Sequence, residues 1–292
     1  MKPAPFRLHR PDRVAEAIEL LSVYGDEAKV LAGGQSLMPL LALRLARFEE
    51  LVDLNRIGEL SGISFDGEEL VIGAMTRQAD VEVAPEVRKS APLLARALRY
   101  VGHFQIRNRG TVGGSLAHAD PAAELPAVAM VLGAVVDVVG PRGARQVPAE
   151  ELFAERWTTV LDVDELLVSV RIPVMPAEAG FAVEEVARRH GDFAMAGVAC
   201  ALSSGHGRVD RARIALFGVG RTPLLCPLVA KEMEGSLLDE LHPAALDELA
   251  ALATADLDPP DDVHATGSYR RAVAAHLVGR ALINSLEELR RA

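Results

Sequence analysis

The chain has 292 residues, half of them hydrophobic and a quarter charged, a balance that supports a sizeable core and excludes disorder over most of the length. Its formal charge of −10 carries no basic stripe, which excludes nucleic-acid binding by displacement of phosphate counterions and disfavours anionic membrane surfaces. The two cysteines, Cys200 and Cys226, are too few for an iron–sulfur centre or a cysteine-rich zinc site and read as buried reduced thiols.

Apolar residues at Val14, Ala17, Ile18 and Leu21 predict a helix over 14–22, ended by Tyr24-Gly25. Lys29–Ala32 predicts a short strand running into Gly33-Gly34-Gln35-Ser36, with a helix from Leu37 to about Arg47 and a strand at Leu51–Leu54. From Asn55 the pattern changes. Leu60–Phe65 and Glu69–Ala74 read as a hairpin across Asp66-Gly67, and Gln78–Ala84 and Pro92–Val101 as helices. A glycine-rich loop, Gly110–Leu116, leads to a helix near Pro121, with Asp120 as N-cap and Pro121 in the first position. Val135–Val139, Arg145–Val147 and Glu165–Ile172 read as strands. Pro173-Val174-Met175-Pro176 is a breaker and marks a boundary. Beyond it, Phe181–Ala187, Ala194–Ser203 and Arg211–Val219 predict an antiparallel sheet, followed by helices at Pro243–Ala253 and from Thr266 to about Arg290. The N-terminus has no apolar core, and the longest apolar run, Ala127–Val136, is broken by Gly133 and falls short of the ~18 residues of a membrane span. A cytoplasmic protein without membrane insertion is expected.

Two glycine pairs carry the chemistry. Ala32-Gly33-Gly34-Gln35-Ser36 lies between a predicted strand and helix, so successive N–H groups can form a nest for an anion, with Ser36 placed to cap the helix. Thr111-Val112-Gly113-Gly114-Ser115 repeats the pattern, two glycines between hydroxyl residues, with Glu124 downstream. Taken singly, each is also a plain tight turn. Together they point to a ligand with a long anionic middle, such as a dinucleotide. Neither fits Gly-x-Gly-x-x-Gly or the phosphate-loop pattern ending Gly-Lys-Ser/Thr, and Gly218-Val219-Gly220 reads as a strand-end turn. His103 and His118 read as structural histidines, and Trp157 as a core or interface residue.

At these segments the chain resembles the FAD-binding subunits of the molybdenum hydroxylases, which include the medium subunit of carbon monoxide dehydrogenase and the flavin domain of xanthine dehydrogenase. The likeness runs through Ala32–Pro39, Gln105–Asn108, Gly110–Pro121, Arg188–Ala194 and Asp262–Arg271, in order. It implies an α+β protein with an FAD-binding fold of the vanillyl-alcohol-oxidase type in residues 1–176, with lobes of about 1–54 and 55–176. A C-terminal domain of antiparallel sheet and helices would follow in 177–292. By the same resemblance FAD is bound non-covalently by Ala32, Gly33, Gly34, Gln35, Ser36, Leu37, Val101, Thr111, Gly113, Gly114, Ser115, Asp120, Glu124 and Phe193. No residue of this chain is assigned to acid–base catalysis or to a metal.

The implied activity is that of an electron-transfer oxidoreductase subunit. Molybdopterin would sit on a large partner and [2Fe-2S] clusters on a small one, and this chain would pass electrons to an external acceptor: NAD⁺, a quinone or O₂. One departure bears on that acceptor. The family often carries a lysine near the flavin carbonyls where this chain has Glu184 and Glu185. A free-standing FAD-dependent oxidase or reductase would share the fold, and substrate-linked bleaching of the isolated flavoprotein would mark it. A binding protein that has lost the flavin would show no stabilisation by FAD.

Overall fold

The computed structural model describes residues 2–292. The N-terminal part opens with β1 (Arg7–His9), α1 (Val14–Tyr24), β2 (Ala28–Leu31), α2 (Leu37–Ala42) and β3 (Glu50–Asp53). The three strands form a parallel sheet in the order β1-β3-β2. Strand β1 is too short and polar to show in the sequence. It is anchored because Arg7 and His9 both bond the carboxylate of Glu50, which is fully buried.

The middle part contains β4 (Ile63–Asp66), β5 (Glu69–Gly73), α3 (Gln78–Val83), α4 (Pro85–Ser90), α5 (Pro92–Ala97), α6 (Phe104–Arg107), α7 (Val112–His118) and α8 (Glu124–Val131). It continues through β6 (Val135–Gly140), β7 (Gly143–Pro148), α9 (Ala149–Leu152), β8 (Phe153–Glu155), β9 (Thr158–Thr159) and β10 (Leu166–Pro173). Strands β4-β5-β10-β6-β7 make an antiparallel sheet in that order. The last part has β11 (Ala179–Val186), β12 (Ala196–Gly205), β13 (Arg208–Phe217), β14 (Leu224–Leu225), α10 (Pro227–Met233), α11 (Pro243–Thr254) and α12 (Gly267–Leu289). Its four strands form an antiparallel sheet in chain order.

Period-2 alternation makes this last sheet double-faced. Phe181, Val183, Ala199, Ala201, Ala215 and Phe217 join the core built on α5 and α8. Ala182, Val198, Cys200, Leu202, Ile214 and Leu216 join the core under α11 and α12. The sheet is thus the partition between the middle part and the C-terminal helices, and α8 packs on its inner face at β12 and β13. Burial pushes both Cys200 and Cys226 thiols up to about 12, so neither is a thiolate at neutral pH. Among the described residues no helix is long and apolar enough to cross a membrane, and no group of three His, Cys, Asp or Glu side chains is placed to hold a metal.

Four expectations need correction. The helix from Leu37 stops at Ala42, because Arg44 turns left-handed at φ 58°. Ser36 occupies the N-cap position but makes no side-chain cap. The segment Gly110–Leu116 is no loop: Val112 onward is helical, capped by Thr111. The next helix begins at Glu124, with Ala123 as N-cap. Asp120 instead closes a turn, accepting from the Ala122 N–H at 2.9 Å. The chain reaches it because α7 ends on Ala119 in the left-handed conformation, φ 51°. Helix α4 went unread in the sequence, since its polar run Pro85–Ser90 shows no clear periodicity.

Candidate functional site

The two glycine segments lie against each other. Gly33 is buried against the segment before α7: a Cβ there would overlap the Arg109 carbonyl oxygen and stand 2.8 Å from Gly110 Cα. A Cβ on Gly114 would stand 2.6 Å from Thr111 Oγ1 and 3.3 Å from Ala32 Cβ. Gly113 packs its bare face on Ala74. Both segments therefore need glycine for close approach, whatever they bind.

Their hydrogen bonding separates them. Gly34 is left-handed, φ 73°, and the amide N–H groups of Gly33, Gly34, Gln35 and Ser36 find no acceptor among the described residues. Consecutive free N–H groups across such a turn form an anion nest. The second segment offers no such row. Its amides donate to Thr76 O from Val112, Ala74 O from Gly113, Thr111 Oγ1 from Gly114 and Thr111 O from Ser115. Thr111 and Gly113 are buried and shape the wall, while Ser115 stays half-buried at its edge. The chemical equivalence expected of the two segments does not hold: one presents donors and the other backs it.

A polar clasp that the sequence did not reveal ties the segments together. Asn55 donates to Ala32 O at 3.0 Å, and Arg77 donates to Asn55 Oδ1 at 2.6 Å and to the Arg109 carbonyl. Asp53 accepts from the Asn55 amide N–H at 3.1 Å. These residues come from β3, the start of α3 and the approach to α7, so no local spacing announces them. Partial burial and the neighbouring Arg109 charge lower the Arg77 pKa, and Asp80 and Asp53 act in the opposite direction. Replacing Arg77 by Met keeps the stem and removes the fork. FAD affinity is expected to drop about 5- to 10-fold, the worth of one or two hydrogen bonds. A double-mutant cycle with Asn55→Ala should show non-additivity, and full additivity would separate the two residues.

The remaining predicted residues group on two further edges. Gly191 sits on Gly102 and His103, each 2.9 Å from its would-be Cβ, so the segment bearing exposed Phe193 lies beside half-buried Val101. His103 is exposed, and its ring faces that of His190 with centroids 6.4 Å apart. At the α7–α8 corner, Asp120 accepts from Trp157 Nε1 at 3.2 Å and stands 4.0 Å from His118, whose pKa is lowered by burial. Trp157, expected in a core or interface, is exposed. Glu124 is buried at the start of α8, and its carboxyl is pushed up to about 7 by burial, with Asp120 adding to the shift. Gln35 folds back to donate to Gly33 O at 3.0 Å, and Leu37 starts α2 half-buried. Gly218 closes a strand end at φ 75° and donates to Pro121 O at 2.7 Å, with no nucleotide loop around it.

A row of free amides packed against a glycine-tight wall is a site suited to an anionic ligand. The comparisons agree. The model for the FAD binding domain in molybdopterin dehydrogenase matches residues 4–175, and that for the CO dehydrogenase flavoprotein C-terminal domain matches 181–285. The chain is 40% identical to the 6-hydroxypseudooxynicotine dehydrogenase complex subunit alpha of Paenarthrobacter nicotinovorans, over 99% of this chain and 97% of that one. It is 38% identical to the carbon monoxide dehydrogenase medium chain of Hydrogenophaga pseudoflava, over 97% of each. A solved structure of carbon monoxide dehydrogenase from that organism superposes with a TM-score of 0.95, at 39% identity over 98% of each chain. The chain belongs to the FAD-binding subunits of the molybdenum hydroxylase dehydrogenases.

Proposed function

We propose that the free amides of Gly33, Gly34, Gln35 and Ser36 hold the pyrophosphate of FAD, and that this row is the observation on which the site rests. Gly113, Gly114 and Ser115 form the wall behind it, with Thr111 spent as a helix cap. Ala32 and Leu37 flank the nest. Val101 and Phe193 are the apolar contacts for the ring system, and Asp120 and Glu124 face the polar parts of the cofactor. The division into 1–176 and 177–292 follows the same reading: the partition sheet closes the cleft from the C-terminal side.

The donor set fits the cofactor, because an anionic bridge needs backbone N–H groups and a close approach that no Cβ permits. When bound, FAD supplies a centre that accepts electrons singly and releases them as a pair. The chain's own part is to bind, orient and limit water. Molybdenum and iron–sulfur cofactors belong to partner subunits, the large and the small, and the place of work is the cytoplasm. Purified chain, treated with acid, is expected to release FAD, and apoprotein is expected to gain thermal stability on adding it, by about 3 kcal/mol at 100 times the dissociation constant. No released FAD together with an unmoved midpoint would end this reading.

A further inference from the structure

Phe193 stands on the connection between β11 and β12, residues 187–195. This loop is closed at its base, where the Met195 N–H donates to Val186 O at 2.8 Å. Further out, Gly191 packs on Gly102 and His103. Phe193 lies between these two fixed points and is 64% exposed.

The base of the loop is gripped a second time, from the C-terminal helix. Arg270 belongs to the first turn of α12 and is 5% exposed. Its Nη1 donates to Met195 O at 2.6 Å and to Gly218 O at 3.0 Å, and its Nη2 donates to Asp262 Oδ2 at 2.7 Å. Both carbonyls bear on Phe193. Met195 lies two residues beyond it. Gly218 turns left-handed under the loop's exit, where a Cβ would stand 2.8 Å from Ala194 O. The Gly218 N–H donates in turn to Pro121 O at 2.7 Å, which ties the same point to the α7–α8 corner.

The support under the guanidinium is stiff. Asp262 Oδ1 accepts from the amides of His264 at 2.8 Å and Ala265 at 3.0 Å, and Asp261 accepts from Gly267 N at 2.5 Å. Gly267 packs so closely on Pro259 that a Cβ would overlap the Pro259 carbonyl oxygen. A buried planar fork with three charge-assisted bonds fixes direction as well as distance. Fastening α12 to the sheet needs only some carbonyl of β12 or β13. These bonds end instead where the Phe193 loop leaves the sheet and where its last residues are packed.

We propose that Arg270, held by Asp262, is a positioning residue for the flavin: by fixing the base of the 187–195 loop it sets where Phe193 meets the ring. This assignment rests on the reading above in which Phe193 contacts the ring system. The nest amides lie on a separate segment, so losing the grip should disturb the ring contact more than the affinity.

The test uses the full-length chain with FAD at saturation and reads flavin emission. Phe193→Trp places an indole at the ring, and an indole in contact with a flavin quenches its emission. Bound FAD is therefore expected to emit less than in wild type; Trp157 is common to all variants and cancels in the comparison. Adding Arg270→Met removes the fork, is expected to shift the loop about 10-fold toward the released state, and restores most of the lost emission. FAD affinity should stay within about 5-fold of the parent, the worth of one contact. Arg270→Lys keeps the charge and one bond, and is expected to retain much of the quenching. Asp262→Asn keeps the shape, and is expected to relieve it in part. Gly180→Ala, at the far end of β11, is expected to lower the denaturation midpoint and leave the quenching in place.

Unchanged quenching in the Arg270→Met chain overturns the positioning role and leaves the FAD site standing. Where that chain fails to fold, unchanged quenching in both Arg270→Lys and Asp262→Asn overturns it equally. Relief by Gly180→Ala as large as by Arg270→Met reduces Arg270 to a general support and also overturns it. FAD bound without quenching by Phe193→Trp overturns the ring contact and this assignment with it. No FAD binding by wild type overturns the reading on which both rest.

Discussion

Gly33→Ala is expected to weaken FAD binding by about 30- to 100-fold, or 2–3 kcal/mol, the cost of forcing a methyl into a filled site. The reason is steric and local. The new Cβ would overlap the Arg109 carbonyl oxygen, and neither that atom nor Gly110 Cα, at 2.8 Å, belongs to a flexible side chain. The backbone of one segment must retreat from the other. Retreat breaks the Arg77 link to Arg109 and turns the row of free amides away from the wall that backs it. Gly58→Ala is the matched control, because no atom lies within 4 Å of its would-be Cβ and its φ is not left-handed. Its affinity and thermal midpoint should stay at wild-type values. Fluorescence titration of both variants decides the matter: equal affinities would remove Gly33 from the site.

The second large effect falls on folding. Gly180→Ala is expected to destabilise the chain by about 3 kcal/mol or more, measured by chemical denaturation. Gly180 lies in β11, where α12 crosses it so closely that a Cβ would collide with the Ser285 carbonyl oxygen and stand 2.9 Å from Leu289 N. Pushing α12 outward opens the core formed by Leu277, Ala281, Leu282 and Leu286 under the sheet. It also pulls on Glu288, which accepts from Phe181 N at 3.0 Å and pairs with both terminal nitrogens of Arg96, at 2.5 and 2.6 Å. Arg96 belongs to α5, so this pair fastens the C-terminal helix to the flavin-binding part. The ion pair is partly exposed and contributes little alone; the packing loss dominates. A midpoint unchanged within about 0.5 kcal/mol would mean that α12 can shift without loss.

Helix and strand periods, the Gly pairs and the breaker at Pro173–Pro176 were legible in the residues, because hydrophobic periodicity and glycine placement are local properties. The family likeness and its cofactor could be read from two short segments and their order. Strand β1 and helix α4 were not legible. Each is short and polar, and each is fixed by a distant partner, as Glu50 fixes β1.

The nature of the second glycine segment belonged to tertiary structure. Its residues alone look like those of the first. Whether an N–H is free depends on which carbonyl lies opposite it, and here Thr76 and Ala74, from a separate stretch of chain, use two of the four. The clasp of Asn55 and Arg77 follows the same rule, since Arg77 bonds both Asn55 and the distant Arg109 carbonyl. The sequence by itself determined which segments could be glycine-tight and which faces would be buried, because backbone freedom and side-chain polarity travel with each residue. The fold alone decided which amides stay unpaired and which charges meet, because hydrogen bonding and desolvation depend on neighbours that folding brings from afar.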